Sequence, residues 1–156
     1  MGKIISKCVF CGGKKFSRST REQIRQFNDT TFKVKVPCER CTSCGEGYTH
    51  ASAIQNGDRE IAIDLVKNGG PAVGRSLKHL RNAASLKAEE LAELLGVSVT
   101  TLSRWENDRQ PIDRATWLAV GDLVLEPVET RRRLEALSSS RAGKTVRISI
   151  EASPRG

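Results

Sequence analysis

Apolar residues recur at helical spacing in the second half of the chain, first at Val73, Leu77, Leu80 and Ala84. Their separations, near i, i+4 and i+7, predict a helix with a single apolar stripe. Further along, Asp113 is a candidate cap for a helix that contains Trp117, and Pro127 can be the first residue of a last helix. Residues 73–137 are therefore predicted to form a bundle of packed helices.

Two short helices joined by a tight turn stand out within this segment. Ala88–Leu95 has apolar residues at helical spacing, and Gly96 stands where a helix can end in a left-handed residue. Ser98 can cap a following helix from Val99 to about Asn107. Because the turn is short, the two helices must cross steeply, and Ala92 is small enough to allow their close approach.

The first third of the chain has a different pattern, in which apolar and basic residues alternate over Phe32, Lys33, Val34, Lys35 and Val36. This alternation predicts a short strand with one wet face, and Pro37 is expected to limit it. The pattern of residues 17–31 is ambiguous. Ile24 and Phe27 are spaced as in a helical turn, which is the interpretation we take for this segment.

The predicted fold class is α+β, with a small ribbon-like β module followed by an all-α domain of five helices. The predicted divisions are a ribbon, a connector, a helix-turn-helix domain and a flexible tail, at residues 1–50, 51–72, 73–137 and 138–156. A short helix is expected in the connector at 59–67, ended by Asn68-Gly69-Gly70-Pro71. In the tail, apolar residues alternate with other residues at Val146, Ile148 and Ile150, so a late strand is an alternative to a fully flexible tail.

Charge and apolar content indicate the class of partner. The formal net charge is +8 and the isoelectric point about 9.6, which favours a polyanion, with nucleic acid first. Residues 73–126 are nearly balanced in charge, so DNA binding there must depend on placed side chains. No apolar run is long enough for a signal peptide or a bilayer span. We therefore expect a cytoplasmic protein without a membrane partner.

Four of the five cysteines form two Cys-x-x-Cys pairs, Cys8/Cys11 and Cys41/Cys44. Glycine follows each pair and permits the backbone to turn back, so that its N–H groups face the sulfur atoms. Two pairs separated by about thirty residues are typical of structural Zn²⁺ with tetrahedral thiolate coordination. We expect one structural zinc ion per chain, held by these four residues, with no open position for catalysis.

Cys38 leaves a second pairing open, because Cys38/Cys41 is also a Cys-x-x-Cys pair. We favour Cys41/Cys44 because glycine follows that pair, as it follows the first. Cys38 is then interpreted as a buried apolar residue at the end of the strand. The alternative is a thiol that senses oxidants or exchanges metal. His50 is interpreted as a surface residue rather than a replacement ligand.

The second helix of the tight pair has outward positions suited to DNA, at Ser98, Val99, Thr100, Thr101 and Arg104. A helix N-terminus with short side chains can enter the major groove, where Arg104 can donate two hydrogen bonds to guanine. Asn107 and Arg109 lie just beyond, where phosphate contacts are expected. The alternative is a helical hairpin without a role in DNA binding.

Four further side chains of this segment are assigned to structure rather than to ligand binding. Arg81 and Glu106 are expected to form a buried ion pair that fastens the first helix of the domain to the end of the third. Trp105 and Trp117 are expected in the core rather than stacked on bases.

Residues 73–124 resemble the lambda-repressor-type (Xre) helix-turn-helix domains. Their junction with an N-terminal cysteine module makes the chain similar to the MqsA-type antitoxins, also called YgiT-type zinc finger proteins. The cysteine-module motifs that carry this likeness are Cys8-x-x-Cys11-Gly12-Gly13 and Val36-Pro37-Cys38-Glu39-Arg40-Cys41-x-x-Cys44-Gly45-Glu46. The likeness covers residues 1 to about 126.

The resemblance implies a zinc-holding N-terminal domain that binds an RNA-cleaving toxin, and a C-terminal domain that dimerises and represses at palindromic operators. It implies that Cys8, Cys11, Cys41 and Cys44 are the zinc ligands. Thr100 stands where a base-reading asparagine can occur, and Arg104 matches a base-reading arginine.

The chain departs from that family pattern at three positions. Lys87 replaces the usual Ser or Thr cap of the first helix of the tight pair, and Ala88 replaces a glutamine that often contacts DNA. Lys87 can reach a phosphate itself, so we include it among the DNA-binding residues. Asp108 stands where glycine is common, which puts the geometry of that turn in question.

Together these observations predict a transcription regulator with structural zinc that binds an operator as a homodimer. The narrower prediction is the antitoxin and autorepressor of a type II toxin–antitoxin system. A stand-alone regulator, a protein-interaction adaptor and a thiol sensor that uses Cys38 remain as alternatives. An enzyme is not expected, because His50 and His79 lie in different segments with no nucleophile motif near either.

Overall fold

The computed structural model describes residues 5–138, and it contains three strands followed by six helices. The strands are β1 (Phe16–Phe27), β2 (Thr30–Cys41) and β3 (Gly47–Tyr48). The helices are α1 (Ala51–Lys67), α2 (Gly74–Ala83), α3 (Ala88–Leu95), α4 (Val99–Glu106), α5 (Arg114–Leu125) and α6 (Pro127–Ser138). The predicted α+β class is confirmed. The predicted tail from residue 139 onward, with its late strand at 146–150, lies outside the described residues.

The sheet is an antiparallel hairpin with one short additional strand, in the order β1-β2-β3. Phe27 pairs with Thr30, so a two-residue turn closes the hairpin, and Asn28 in that turn has a left-handed φ of 48°. The helical turn expected around Ile24 and Phe27 is therefore wrong. In the strand Phe27 is buried, whereas Ile24 lies on the opposite face and is exposed. Pairing with β2, a non-local contact, determines this conformation.

Pro37 does not end the strand as expected, because β2 continues to Cys41. Pro37 lies opposite Thr20, an odd number of positions beyond the hydrogen-bonded pair that closes the turn. In an antiparallel ladder such a residue directs its backbone N–H away from its partner strand. The missing N–H of proline therefore removes no bond between β1 and β2.

Helix α1 is longer than the short helix expected at residues 59–67, since it spans Ala51–Lys67. Its first half packs on the hairpin through the small residues Ala53 and Gly57. A Cβ at Gly57 would lie 2.8 Å from Val36 Cγ1, so glycine permits the close approach. Its second half buries Leu65 completely in the helical core. Because small residues such as Ala53 and Gly57 do not stand out as an apolar stripe, the sequence pattern predicted only the second half of α1.

The helical core lies between α1 and the five helices α2–α6, with its largest fully buried side chains at Leu65, Leu77, Leu80, Leu91, Leu102, Val120 and Val124. The expected helix ends are confirmed in the turn: Gly96 has a φ of 67°, and Ser98 Oγ accepts a hydrogen bond from Thr101 N at 3.1 Å. Trp105 is buried, and Trp117 packs partly buried against the core, as expected.

The N-terminus of α2 lies directly against the C-terminal end of α4. A Cβ at Gly74 would overlap the backbone carbonyls of Trp105 and Glu106, so only glycine fits there. The Gly74 N–H donates to Asp108 Oδ1 at 2.7 Å, and Asp108 adopts a left-handed φ of 54°. Asp108 thus keeps the left-handed turn in which glycine is common, and its carboxylate caps α2.

Candidate metal centre and nucleic-acid interface

The two Cys-x-x-Cys turns have the same backbone hydrogen bonds. Cys8 N donates to Gly13 O and Cys41 N donates to Glu46 O, each at 2.8 Å. In both turns the glycine after the second cysteine is left-handed, with φ of 74° at Gly12 and 80° at Gly45. Two matched turns of this kind, one before β1 and one after β2, are brought together by the hairpin register.

Four sulfur atoms converge between these turns, from Cys8, Cys11, Cys41 and Cys44, and all lie within 4.8 Å of one another. The closest pairs are Cys8 Sγ–Cys44 Sγ at 3.5 Å and Cys11 Sγ–Cys41 Sγ at 3.6 Å. With Zn–S bonds of about 2.3 Å, a regular tetrahedron has S–S edges of about 3.8 Å. The cluster therefore has the dimensions needed to hold a metal ion. Cys38 lies buried within β2 and is not part of this cluster.

Tyr48 joins the cluster from β3. Its hydroxyl lies 3.1 Å from Cys8 Sγ and accepts a hydrogen bond from Val9 N at 3.1 Å. Its ring meets Phe16 edge to face, with centroids 5.9 Å apart. Sequence reasoning missed Tyr48. The available signal was weak, since only its position four residues after Cys44 associated it with the site.

The thiols of this cluster do not ionise equally in the absence of a cation. The hydrogen bond from Tyr48, followed by the Cys11 backbone N–H, lowers the pKa of Cys8 to about 6. A Glu46 backbone hydrogen bond favours the Cys44 thiolate, but Cys11 and burial outweigh it and raise the pKa of Cys44 to about 12. Four adjacent thiolates thus require a cation to balance their charge, and an all-sulfur tetrahedral set suits Zn²⁺.

The outward face of α4 carries Val99, Thr100, Ser103, Arg104 and Asn107, all exposed and none acidic. At 3.6 residues per turn, these positions span an arc of about 140°. Leu102 and Trp105 lie on the opposite side and are buried. This face can approach another molecule without disturbing the core, and its charge suits a polyanion.

Several of the predicted DNA-binding side chains already have hydrogen bonds within the domain. Ser98 Oγ and Thr101 Oγ1 lie 2.9 Å apart at the start of α4, and Asn107 Nδ2 donates to Ser103 O at 2.7 Å near its end. Thr100 and Arg104 are exposed between these two caps. These two residues present the polar groups best placed to bind a ligand.

The remaining two predicted DNA-binding residues, Lys87 and Arg109, flank the tight helix pair and are exposed. Lys87 precedes α3, and its backbone N–H donates to Glu90 Oε2 at 2.7 Å. This bond is the half of a capping box that the third residue of the helix supplies, whereas a Ser or Thr at residue 87 would have accepted from the Glu90 N–H. Arg109 follows α4, with its N–H bonded to Arg104 O. Contact of either side chain with DNA stays a prediction.

The expected ion pair between Arg81 and Glu106 is confirmed. Arg81 Nε donates to Glu106 Oε1 at 2.6 Å and Nη2 donates to Oε2 at 3.2 Å, in a bidentate arrangement. The side chains are only 11% and 9% exposed, respectively. Arg81 Nη1 also donates to Leu86 O at 3.0 Å. The pair joins α2 to the end of α4 and to the loop before α3, so it positions the helix pair.

A second polar cluster joins the hairpin to the helices and centres on Asp58 of α1. Gln23 Nε2 donates to Asp58 Oδ1 at 2.7 Å, and Arg25 forms an ion pair with the same carboxylate at 3.0 Å. His79 Nε2 lies 2.9 Å from the Asp58 carbonyl oxygen, and its ring packs 5.2 Å from Phe27. Burial lowers the pKa of His79. Sequence reasoning missed this junction because its partners are far apart in the chain.

Residues 72–134 match a family model described as a helix-turn-helix domain, and this range includes α2–α5 and most of α6. No curated protein matches the chain. In the stretch from residue 5 to residue 138, no helix combines the length and apolarity required to cross a bilayer. The family match supports the broader resemblance to helix-turn-helix domains. The narrower resemblance to MqsA-type antitoxins stays a prediction.

Proposed function

We propose that this chain, whose residues 72–134 match the helix-turn-helix family, is a sequence-specific DNA-binding transcription regulator with structural zinc. The observation that carries the proposal is the exposed face of α4, which has no acidic residue and presents Arg104 beside Thr100. The net charge of +8 favours the approach of the whole chain to duplex DNA. No catalytic step is part of the proposal.

In this proposal α4 lies in the major groove with its exposed face toward the base edges. Arg104 donates two hydrogen bonds to a guanine, while Val99 and Thr100 contact neighbouring bases. Ser98 and Thr101 maintain the helix start, and Lys87, Asn107 and Arg109 contact phosphates on either side. The chain acts as a homodimer on a palindromic operator, because two copies of α4 can then read two half-sites separated by one or more helical turns.

The proposed zinc ion is bound by Cys8, Cys11, Cys41 and Cys44, which the sulfur cluster supports. Zinc would supply a cross-link between the two Cys-x-x-Cys turns and charge balance for four thiolates. Tyr48 orients the Cys8 sulfur by its hydrogen bond. Four thiolates would fill a tetrahedral site, which favours a structural ion. Because thiolate ligands must stay reduced, the proposal places the protein in the cytoplasm.

Replacement of Arg104 with alanine is expected to weaken binding to the preferred operator by about 1–3 kcal/mol and to relax the preference for guanine. The matched control is Arg109→Ala, which should weaken binding to all sequences alike. It should also reduce the slope of log affinity against log salt concentration by about one. The affinities of both variants for the chain's own promoter and for duplexes of altered sequence, measured over a series of salt concentrations, test these expectations. Equal sequence preference in wild type and Arg104→Ala would remove Arg104 from base reading.

We also propose the narrower function of an antitoxin and autorepressor whose N-terminal domain binds an RNA-cleaving toxin. The cysteine-module likeness supports it, and so does the tip of the first Cys-x-x-Cys turn. Val9 and Phe10 there are 84% and 83% exposed, and an adjacent apolar pair of this kind favours a protein partner. A stand-alone regulator and an interaction adaptor are the competing functions.

Co-expression with the product of the adjacent gene tests the antitoxin function. We expect that product to arrest growth alone, wild type to relieve the arrest, and a Val9→Asp/Phe10→Asp double variant to relieve it poorly. The double variant should keep its metal and its operator affinity, because both side chains point into solvent. A harmless neighbour that does not co-purify with the chain would favour the stand-alone regulator.

A further inference from the structure

An apolar side chain occupies the first position of α4, where the structure of the domain itself gives it no role. Val99 is 43% exposed, whereas Val97, two residues earlier, packs against the core. Valine is a weak helix former, and polar residues are favoured in the first turn of a helix. Neither core packing nor local helix stability therefore accounts for Val99.

The polar groups on the edge of α4 where Val99 lies are already hydrogen-bonded within the domain. The two methyl groups of Val99 are therefore the main surface available for contact on that edge. The flanking hydroxyls of Ser98 and Thr101 lie 2.9 Å from each other and satisfy the helix start. Ser103, one turn further on, is engaged by the Asn107 amide, which lies 3.4 Å from its Oγ. The free polar groups lie toward the other edge of the exposed arc, at Thr100 and Arg104.

The major groove presents one apolar group among the four ordinary bases, the C5-methyl group of thymine. Other base edges in that groove offer hydrogen-bond donors or acceptors, which a valine side chain would leave unsatisfied. An apolar residue at the leading end of α4 is therefore complementary to thymine. The same surface suits 5-methylcytosine, which has its methyl group at the equivalent ring position.

We propose that Val99 determines part of the operator sequence by contacting the methyl group of a thymine in the same half-site as the guanine bound by Arg104. The inference rests on the proposed DNA-binding function and adds the class of base that one edge of α4 selects. Val99 is thus a specificity residue for methylated pyrimidines, and Arg104 is its counterpart for guanine.

The test begins with duplexes enriched from a random pool by the full-length wild-type protein. Each thymine of the enriched half-site is then replaced singly by deoxyuridine, which removes only the methyl group. We expect one position at which wild-type affinity falls about fourfold, the equivalent of about 0.8 kcal/mol for one buried methyl group. At that position Val99→Ala should bind the thymine and uracil duplexes equally.

Two further variants control for folding and for loss of an exposed valine. Val128→Ala removes the same atoms from an exposed position of α6 and should keep the wild-type difference between thymine and uracil. Val99→Thr retains one methyl group and the branched shape, so it should keep a reduced difference. With cytosine at the same position, methylation of its C5 should improve wild-type binding and leave Val99→Ala unaffected.

Two results would overturn the inference and leave DNA binding intact. One is an enriched site in which uracil is tolerated at every thymine. The other is a Val99→Ala protein that still distinguishes thymine from uracil at the sensitive position. A pool from which no sequence is enriched would overturn the proposed sequence-specific function together with the role of Val99.

Discussion

Removal of the metal is expected to unfold the two Cys-x-x-Cys turns and leave the helical core folded. Residues 5–15 and 42–49 contribute few buried apolar side chains, so the sulfur cluster is their main cross-link. Structural zinc binds finger peptides with apparent free energies of about 10–16 kcal/mol, and that energy is available for folding. The hairpin and helices α1–α6 have their own apolar contacts and should survive.

The measurements are metal content per chain, then amide hydrogen exchange with and without a chelator. We expect one zinc per chain before chelation, and afterwards fast exchange at Cys8 and Cys41, whose N–H groups now bond across the turns. Amides of α2–α5 should stay protected. Fast exchange throughout the chain would show instead that the helices depend on the metal.

Matched cysteine variants distinguish the four-sulfur cluster from the alternative pairing through Cys38. Cys41→Ser is expected to lose stoichiometric zinc, whereas Cys38→Ser should retain one ion per chain. Both cysteines are buried, so the comparison controls for the burial of a hydroxyl group. Retention of tightly bound zinc by Cys41→Ser, or its loss from Cys38→Ser, would contradict the ligand assignment.

Replacement of Glu106 with alanine is expected to destabilise the helical domain by about 3–5 kcal/mol, because it leaves a buried guanidinium without its counter-charge. Arg81 is 11% exposed and cannot reach solvent freely, while its remaining bond to Leu86 O satisfies only one donor. The end of α4 should loosen as a result. Urea unfolding followed by far-UV circular dichroism measures the loss, and operator affinity should fall with it.

Two comparisons identify the cause of that loss. Glu129→Ala removes a carboxylate that binds Arg132 and Arg133 on the exposed side of α6, so it should change stability little. An Arg81→Met/Glu106→Leu double variant removes both charges and should recover much of the stability lost in Glu106→Ala. If Glu106→Ala costs no more than Glu129→Ala, the buried pair has no special role.

Most of the features predicted correctly from the sequence depend on interactions between residues that are close together in the chain. Gly96 and Ser98 form the turn between α3 and α4 because a left-handed glycine and a hydroxyl cap act within a few residues. Each Cys-x-x-Cys turn was predictable for a similar reason, since it is built by six consecutive residues, whereas the hairpin register brings the two turns together. The Arg81–Glu106 pair was also expected, as a link between the first and third helices of the domain.

Errors arose where distant residues determine the conformation. β1 is polar along most of its length, and it is a strand because β2 pairs with it and α1 covers one of its faces. The first half of α1 was missed because Ala53 and Gly57 are small, and their value lies in allowing contact with Val36. Propensity and periodicity describe neighbours in sequence, so they do not register such contacts.

The sequence by itself determined the α+β class, the helix pair, its outward face and the sulfur ligands available for a metal, since each depends on closely spaced residues. Only the tertiary structure decided that Tyr48 supports Cys8, that Asp108 caps α2, and that Asp58 joins the hairpin to the helices. Each of these three contacts connects residues that are 34 to 40 positions apart in the chain. Their formation depends on the packing of whole elements, which no local pattern specifies.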